Sequence, residues 1–310
     1  MEDFLRRFAV PDEARGVIDA IVNRQEQALI EALGPGGFYA RDARRALSRV
    51  DGAREDRDVE ALLTNAYRRG VLAIEEETGE GTRYCVATFY DRLDVFAVTE
   101  PESYAALPRE ARRALDAWYF GAYLERLGKD AAPTADRVLP LAETLAFLDE
   151  TAEPVWLNRC DCRILAGNCG MPVDTCISLR GGVNTLSHRG WSRPLTREEA
   201  KDVVRRADRA GLVHTVNPHS ICNCCSDCCY LFRAQAARRS AAVWPASPFV
   251  ARFSESACIG CGNCASRCPF GAFTLRGDKA AFDAALCRGC GVCESTCPTG
   301  AITLAGRDGA

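Results

Sequence analysis

The chain has 310 residues, with 39 Lys and Arg against 42 Asp and Glu, for a formal net charge of −3. That balance excludes bulk electrostatic attraction to nucleic acid or acidic lipid, and no stretch approaches the roughly 18 apolar residues that span a bilayer. With 47% hydrophobic residues, the composition is that of a globular protein long enough for two or three domains.

The opening residues Met1-Glu2-Asp3-Phe4-Leu5-Arg6-Arg7 contain no apolar signal core, so the expectation is a cytoplasmic protein without membrane insertion. Apolar positions at Val17, Ile18, Ile21, Val22, Leu29 and Ile30 predict a helix over 17–33, broken by Gly34-Pro35-Gly36-Gly37. Shorter helices are expected from about Ala40 to Val50 and from about Glu55 to Arg69, the latter ended by Gly70. An apolar run from Val71 to Ile74, a turn at Thr78-Gly79-Glu80-Gly81 and a second extended run over 84–90 predict a hairpin. Three helices followed by a two-stranded hairpin resemble a winged helix, so residues 1–130 are read as a mainly helical, winged-helix-like domain.

The helix that would read DNA in such a domain carries Glu55, Asp56, Asp58 and Glu60 against Arg54, Arg57, Arg68 and Arg69. Residues 1–130 hold 25 acidic and 19 basic side chains, a balance opposed to a phosphate backbone. Docking of a partner protein is the expected use of this domain, with DNA binding as the alternative. Further helices are expected over 104–127, with a core cluster at Trp118-Tyr119-Phe120, and over 141–148. Cys85, in the second run of the hairpin, reads as a small buried residue.

Cysteine usage divides the chain. Of 18 cysteines, 17 lie between Cys160 and Cys297. In a long chain with repeated Cys-x2-Cys spacing, metal explains such a density better than disulfides do. Residues 131–245 form the first cysteine-rich segment, with Cys160, Cys162, Cys169 and Cys176 in one group and Cys222, Cys224, Cys225, Cys228 and Cys229 in a second. Between the groups lies a predicted helix, opened by a Thr196/Glu199 capping box, striped by Val203, Val204 and Ala207, and ended by Gly211. The groups therefore sit on separate loops. Successive side chains diverge, so the adjacent pairs Cys224-Cys225 and Cys228-Cys229 rarely both ligate one metal and are free to split between two clusters. These nine thiols are candidate ligands of one or two additional iron–sulfur clusters, with a zinc site or redox-active thiols as alternatives. The module resembles cysteine-rich segments fused to ferredoxin domains in redox proteins of anaerobic metabolism. His219, three residues before Cys222, is the best placed of the three histidines to add a ligand. Arg159, Arg163, Arg180 and Arg189 are candidates to offset cluster charge.

In residues 246–310 one unit is written twice. Cys258-x2-Cys261-x2-Cys264-x3-Cys268-Pro269 recurs 29 positions later as Cys287-x2-Cys290-x2-Cys293-x3-Cys297-Pro298, and Phe253/Phe282, Gly271/Gly300 and Thr274/Thr303 keep the same offset. A Cys-x2-Cys-x2-Cys loop wraps three corners of an iron–sulfur cube, and the fourth cysteine, beyond the loop, serves the other cube. The expected ligand sets are Cys258, Cys261, Cys264 and Cys297 for one [4Fe–4S] cluster and Cys287, Cys290, Cys293 and Cys268 for the other. Glycines 260, 262, 289 and 291 let backbone N–H groups approach sulfur. A pair of zinc knuckles would need two Cys-x2-Cys pairs, without the third and the displaced fourth cysteine.

This segment resembles the bacterial-type dicluster ferredoxin domain, which implies a (βαβ)2 fold within an α+β chain and single-electron transfer through two [4Fe–4S] clusters. No phosphate loop or dinucleotide fingerprint stands outside the cluster loops. The expected function is therefore a relay or oxidoreductase subunit passing electrons to or from a redox partner protein. The alternatives are a redox-responsive transcription regulator and a catalytic iron–sulfur reductase subunit.

Overall fold

The computed structural model describes residues 2–34, 36–51, 58–152, 154–240 and 244–307. It mixes helix and sheet, and its chain contacts form two compact units. The first holds the residues up to Ala122 with Ile164–Ala166 and Gly181–Ser192; the second holds Tyr123–Arg163, Gly167–Arg180 and the chain from Arg193 onward.

The first unit begins with α1 (Glu2–Arg7), α2 (Asp12–Arg15), α3 (Ile18–Ile21), α4 (Arg24–Ala32), α5 (Ala40–Asp51) and α6 (Val59–Arg68). The antiparallel strands β1 (Leu72–Thr78) and β2 (Gly81–Val86) follow, then α7 (Phe89–Thr99), α8 (Pro101–Ala106) and α9 (Arg109–Arg126). The single helix expected over 17–33 is two helices. Asn23 caps α4 by accepting the Glu26 N–H while the Glu26 carboxylate accepts the Asn23 N–H, and this reciprocal box fixes a new start. The run expected to be extended to residue 90 ends at Val86. Thr88, whose hydroxyl accepts the Asp91 N–H, caps α7 there, and Phe89, Leu93 and Phe96 are fully buried. The helix expected over 104–127 breaks at Pro108, between α8 and α9. Residues 55–57, where the third helix was expected to start, and Arg54 lie outside the described residues. Tyr119 is buried, and Trp118 packs edge-on against Phe89. Cys85 is half-buried, not buried, because it lies on an exposed two-stranded ribbon.

The second unit contains β3 (Arg137–Leu139), α10 (Leu141–Glu150), β4 (Val155–Arg159), α11 (Asp161–Ala166), β5 (Asp174–Ser178), β6 (Arg193–Leu195), α12 (Arg197–Arg209), β7 (Val213–Asn217), β8 (Ser220–Cys224) and α13 (Tyr230–Arg238). It continues with β9 (Phe249–Phe253), α14 (Asn263–Arg267), β10 (Phe273–Arg276), β11 (Lys279–Phe282) and β12 (Ile302–Gly306). Six strands form one antiparallel sheet in the order β3-β7-β8-β5-β4-β6.

One face of that sheet is apolar. Val155, Ile177, Val216 and Ile221 pack there with Leu148 of α10 and with Ala200, Val203 and Val204 of α12. α12 carries the expected Thr196/Glu199 box. Side chains alternate between faces along a strand, so Cys222 and Cys224 on β8 point away from this core. Cys176 lies beside Cys222 when the Ile177↔Ile221 register is carried one residue further. Two small sheets, β9 with β12 and β10 with β11, complete the unit around Phe273, which contacts Phe253 and Phe282 at ring-centroid distances of 5.7 and 4.7 Å. α14 of the first repeat has no helical counterpart in the second. The equivalent residues 292–296 close through tighter bonds, Glu294 N–H to Gly291 O and Cys297 N–H to Glu294 O.

Candidate metal centres

The two cysteine loops of the C-terminal repeat interleave. Cys258, Cys261 and Cys264 of the first loop line one pocket with Cys297 of the second, together with the apolar Phe253, Ala280, Ala301 and Ile302. Cys268 is not among the residues lining that pocket and lies within electrostatic reach of Cys290 and Cys293, which Cys287 also reaches. Burial is the main reason that the Cys290 thiol is pushed up to about 12, and it pushes Cys293 up as well, with the charges of Cys268 and Cys287 adding to both. Such thiols ionise where a cation takes the proton's place.

The local backbone is shaped around these sulfurs. Gly260 and Gly289 occupy equivalent positions at φ +70° and +60°, and a Cβ would sit 1.9 Å from the Asp278 carbonyl oxygen at the first and 2.1 Å from that of Phe249 at the second. Glycine alone fits, and its N–H turns inward: Gly260 donates to Cys258 Sγ and Gly289 to Cys287 Sγ, both at 3.4 Å. Ala251 donates to Cys287 Sγ at 3.4 Å and Ala272 to Cys268 Sγ at 3.3 Å. N–H groups aimed at sulfur favour negative charge there. Arg288, 9% exposed, and Arg307 both donate to the Cys287 carbonyl oxygen. The donor set, the cradle and the nearby cations fit a [4Fe–4S] cluster at each set of four thiols.

The nine cysteines of the middle segment separate into two groups. Six form a closed circuit, a ring of mutually interacting thiols: Cys160 with Cys162, Cys162 with Cys229, Cys229 with Cys224, Cys224 with Cys222, Cys222 with Cys176, and Cys176 with Cys160. Three strand positions on the sheet face opposite the apolar core, Cys176, Cys222 and Cys224, supply half of it. Cys160 follows β4, its N–H bonded to the Val173 carbonyl at 2.8 Å, and Cys229 immediately precedes α13. Interaction with neighbouring thiols holds Cys160, Cys222 and Cys229 below the usual thiol range and pushes Cys162, Cys176 and Cys224 above it.

Arg163 stands against this ring. It is 3% exposed, and its guanidinium donates to the Pro172 and Asn223 carbonyls and to the Thr175 hydroxyl. Its Nε has no hydrogen-bond partner, and among the described residues no carboxylate pairs with it. The ionisable groups that face it are the thiols of Cys160, Cys176, Cys224 and Cys225. A buried cation without a carboxylate is costly unless other negative charge faces it, and Cys160 and Cys225, both held below the usual thiol range, are the groups placed to supply that charge.

Cys169, Cys225 and Cys228 form the second group, with Asp227. Each adjacent pair is thus divided: Cys224 and Cys229 enter the ring, and Cys225 and Cys228 turn to the other group. The signal for part of this was in the sequence, since Cys-x-Cys on a strand places both thiols on one face. No histidine joins either group among the described residues. His219 is exposed in the β7–β8 turn, His214 is buried against Asn223, and His188 bonds the Tyr67 hydroxyl at 2.6 Å. Of the four arginines considered, only Arg163 faces the thiols. Arg159 pairs with Asp174, Arg180 is exposed, and Arg189 is buried against Tyr67 and donates to the Leu72 carbonyl.

Residues 251–304 match the family model of the 4Fe-4S dicluster domain. No curated protein matches the chain. The C-terminal segment is therefore a two-[4Fe–4S] domain and the chain an iron–sulfur protein. No helix among the described residues is long and apolar enough to cross a membrane.

Proposed function

We propose that this protein passes single electrons between a redox partner and its own iron–sulfur centres. Cys258, Cys261, Cys264 and Cys297 hold one C-terminal cluster, and Cys287, Cys290, Cys293 and Cys268 hold the other. The observation that carries this reading is the cavity lined by three cysteines of the first loop and the last cysteine of the second. Each loop lends its final thiolate to the other site, which ties the two centres to one small scaffold at short range. A [4Fe–4S] cluster supplies one-electron oxidation and reduction when bound. The chain's part is to exclude water with Phe253, Phe273 and Phe282, and to aim the N–H groups of Gly260, Gly289, Ala251 and Ala272 at sulfur.

The six-thiol ring is proposed as a third iron–sulfur centre, supported by its closed arrangement and by the buried guanidinium of Arg163. For the N-terminal unit the reading favoured is docking of the redox partner. Of the four arginines that would meet DNA, Arg69 is engaged internally, paired with Glu26 at 2.7 Å and Glu100 at 2.5 Å, while the exposed Arg68 lies over the exposed Trp191 ring.

The test is iron and acid-labile sulfide per chain on protein purified without oxygen, combined with a reductive titration followed by EPR. About eight of each from the C-terminal domain and at least about four more from the ring are expected, with one electron taken up per cluster. Fewer than about eight, or no reversible one-electron step, would overturn the relay.

A further inference from the structure

Cys169, Cys225 and Cys228 have no place in the electron-relay reading, yet their sulfurs lie within contact of one another. Cys169 Sγ lies 3.7 Å from Cys225 Sγ and 3.5 Å from Cys228 Sγ. With an Asp227 carboxylate oxygen, all four donor atoms fall within 4.8 Å of one another.

Geometry separates the candidate occupants. A single tetrahedral ion with metal–sulfur bonds of about 2.3 Å holds its sulfurs about 3.8 Å apart. A cubane attaches each cysteine to a different iron and so needs its ligand sulfurs spread more widely. Cys169, Cys225, Cys228 and Asp227 converge on one point, whereas the six ring thiols are linked pairwise, each to two neighbours. The Cys-x2-Cys spacing of Cys225-Ser226-Asp227-Cys228 is that of a zinc turn. Cys225 and Cys228 are buried while Asp227 is exposed, so the sulfurs are set within the protein and the oxygen closes the site from solvent. Asn168 Nδ2 donates to the Asp227 carbonyl oxygen at 3.1 Å, which pins the loop of Cys169 to this turn.

We propose that Cys169, Cys225 and Cys228, with the Asp227 carboxylate as fourth ligand, bind one thiophilic divalent ion of the zinc type, separate from the iron–sulfur centres. The placement gives the ion a structural task. Cys225 adjoins Cys224 and Cys228 adjoins Cys229, so an ion that fixes one member of each pair also fixes the backbone from which the other enters the ring. The divided pairs are then a device for building a second centre on a stapled loop.

The test uses the full chain, expressed with zinc and iron supplied and purified without oxygen. Elemental analysis is expected to return about one zinc per chain in addition to iron, and zinc K-edge absorption about three sulfur neighbours and one oxygen neighbour. Cys169→Ser and Cys228→Ser, on separate loops, are expected to lose the zinc and keep the iron of the C-terminal domain. Asp227→Asn is expected to keep the ion but release it about tenfold or more readily to a chelator. Zinc absent from the wild-type protein, zinc unaffected by both serine variants, or the loss of about four iron atoms instead of zinc in those variants would each overturn the proposal. The wild-type readout stands even if a variant fails to fold. The relay is judged separately on the C-terminal iron, so the two readings fail independently.

Discussion

Replacing Arg163 with glutamine tests whether the buried guanidinium serves the thiol ring. Arg163 is 3% exposed and faces Cys160, Cys176, Cys224 and Cys225 without a carboxylate of its own. Glutamine removes the charge and abandons acceptors at Pro172, Thr175 and Asn223. Breaking a buried charge arrangement by deleting one side costs about 3–5 kcal/mol, so the urea midpoint should fall well below that of the wild type. The electrostatic part is separable. A unit charge a few ångströms from a redox centre contributes about 3 kcal/mol at an effective dielectric constant of about 20, or about 130 mV for a one-electron couple. Arg163→Gln is therefore expected to lower the potential of the ring centre by roughly that amount in an EPR-monitored titration, leaving the two C-terminal centres unchanged. Arg163→Lys, which keeps the charge and loses the fork of donors, should restore most of the potential and little of the stability. A variant that is destabilised but whose ring potential stays within about 20 mV of the wild type would refute the reasoning, leaving Arg163 as a clamp between three loops.

Other expectations follow from the same geometry. Cys297→Ser should remove the iron of the site built from Cys258, Cys261 and Cys264, whereas Cys268→Ser should remove that of the site built from Cys287, Cys290 and Cys293; EPR of each variant identifies the surviving cluster, and the reverse pattern would exclude interleaving. Gly289→Ala puts a Cβ 2.1 Å from the Phe249 carbonyl at φ +60°, an overlap that must move β9 or the cluster loop. A loss of about 2 kcal/mol or more is expected, against less than about 0.5 kcal/mol for Gly306→Ala, where nothing lies within 4 Å. Burial pushes the Cys85 thiol up, so in the loaded protein iodoacetamide at neutral pH should modify it slowly, and faster as pH rises through its pKa; rapid neutral labelling mapped to Cys85 by mass spectrometry would contradict the half-buried placement.

How much of this was legible in the chain differs by segment. The C-terminal repeat wrote its own chemistry, because a cube needs its thiolates at fixed short spacing and that spacing survives in one dimension. The capping boxes at Thr196 and Asn23 are equally local, but the apolar periodicity across 17–33 masks the break at Asn23, whereas nothing masks the start at Thr196. Helix α7 went unseen for a related reason: Thr88 and Phe89 follow a strand with no glycine or proline between them to mark the change.

The nine middle cysteines show where one dimension stops. Their number pointed to metal, and the adjacent pairs pointed to a division, both from local stereochemistry. Which thiol joins which centre depends on the antiparallel register that sets Cys176 beside Cys222 and on the loop that carries Cys169 to Cys225 and Cys228. Burial of Arg163 at the ring and of Arg189 elsewhere likewise depends on packing of distant segments. Ligand type and spacing are properties of the chain, whereas the gathering of thiols into a ring and a separate four-donor site is a property of the sheet that brings those segments together.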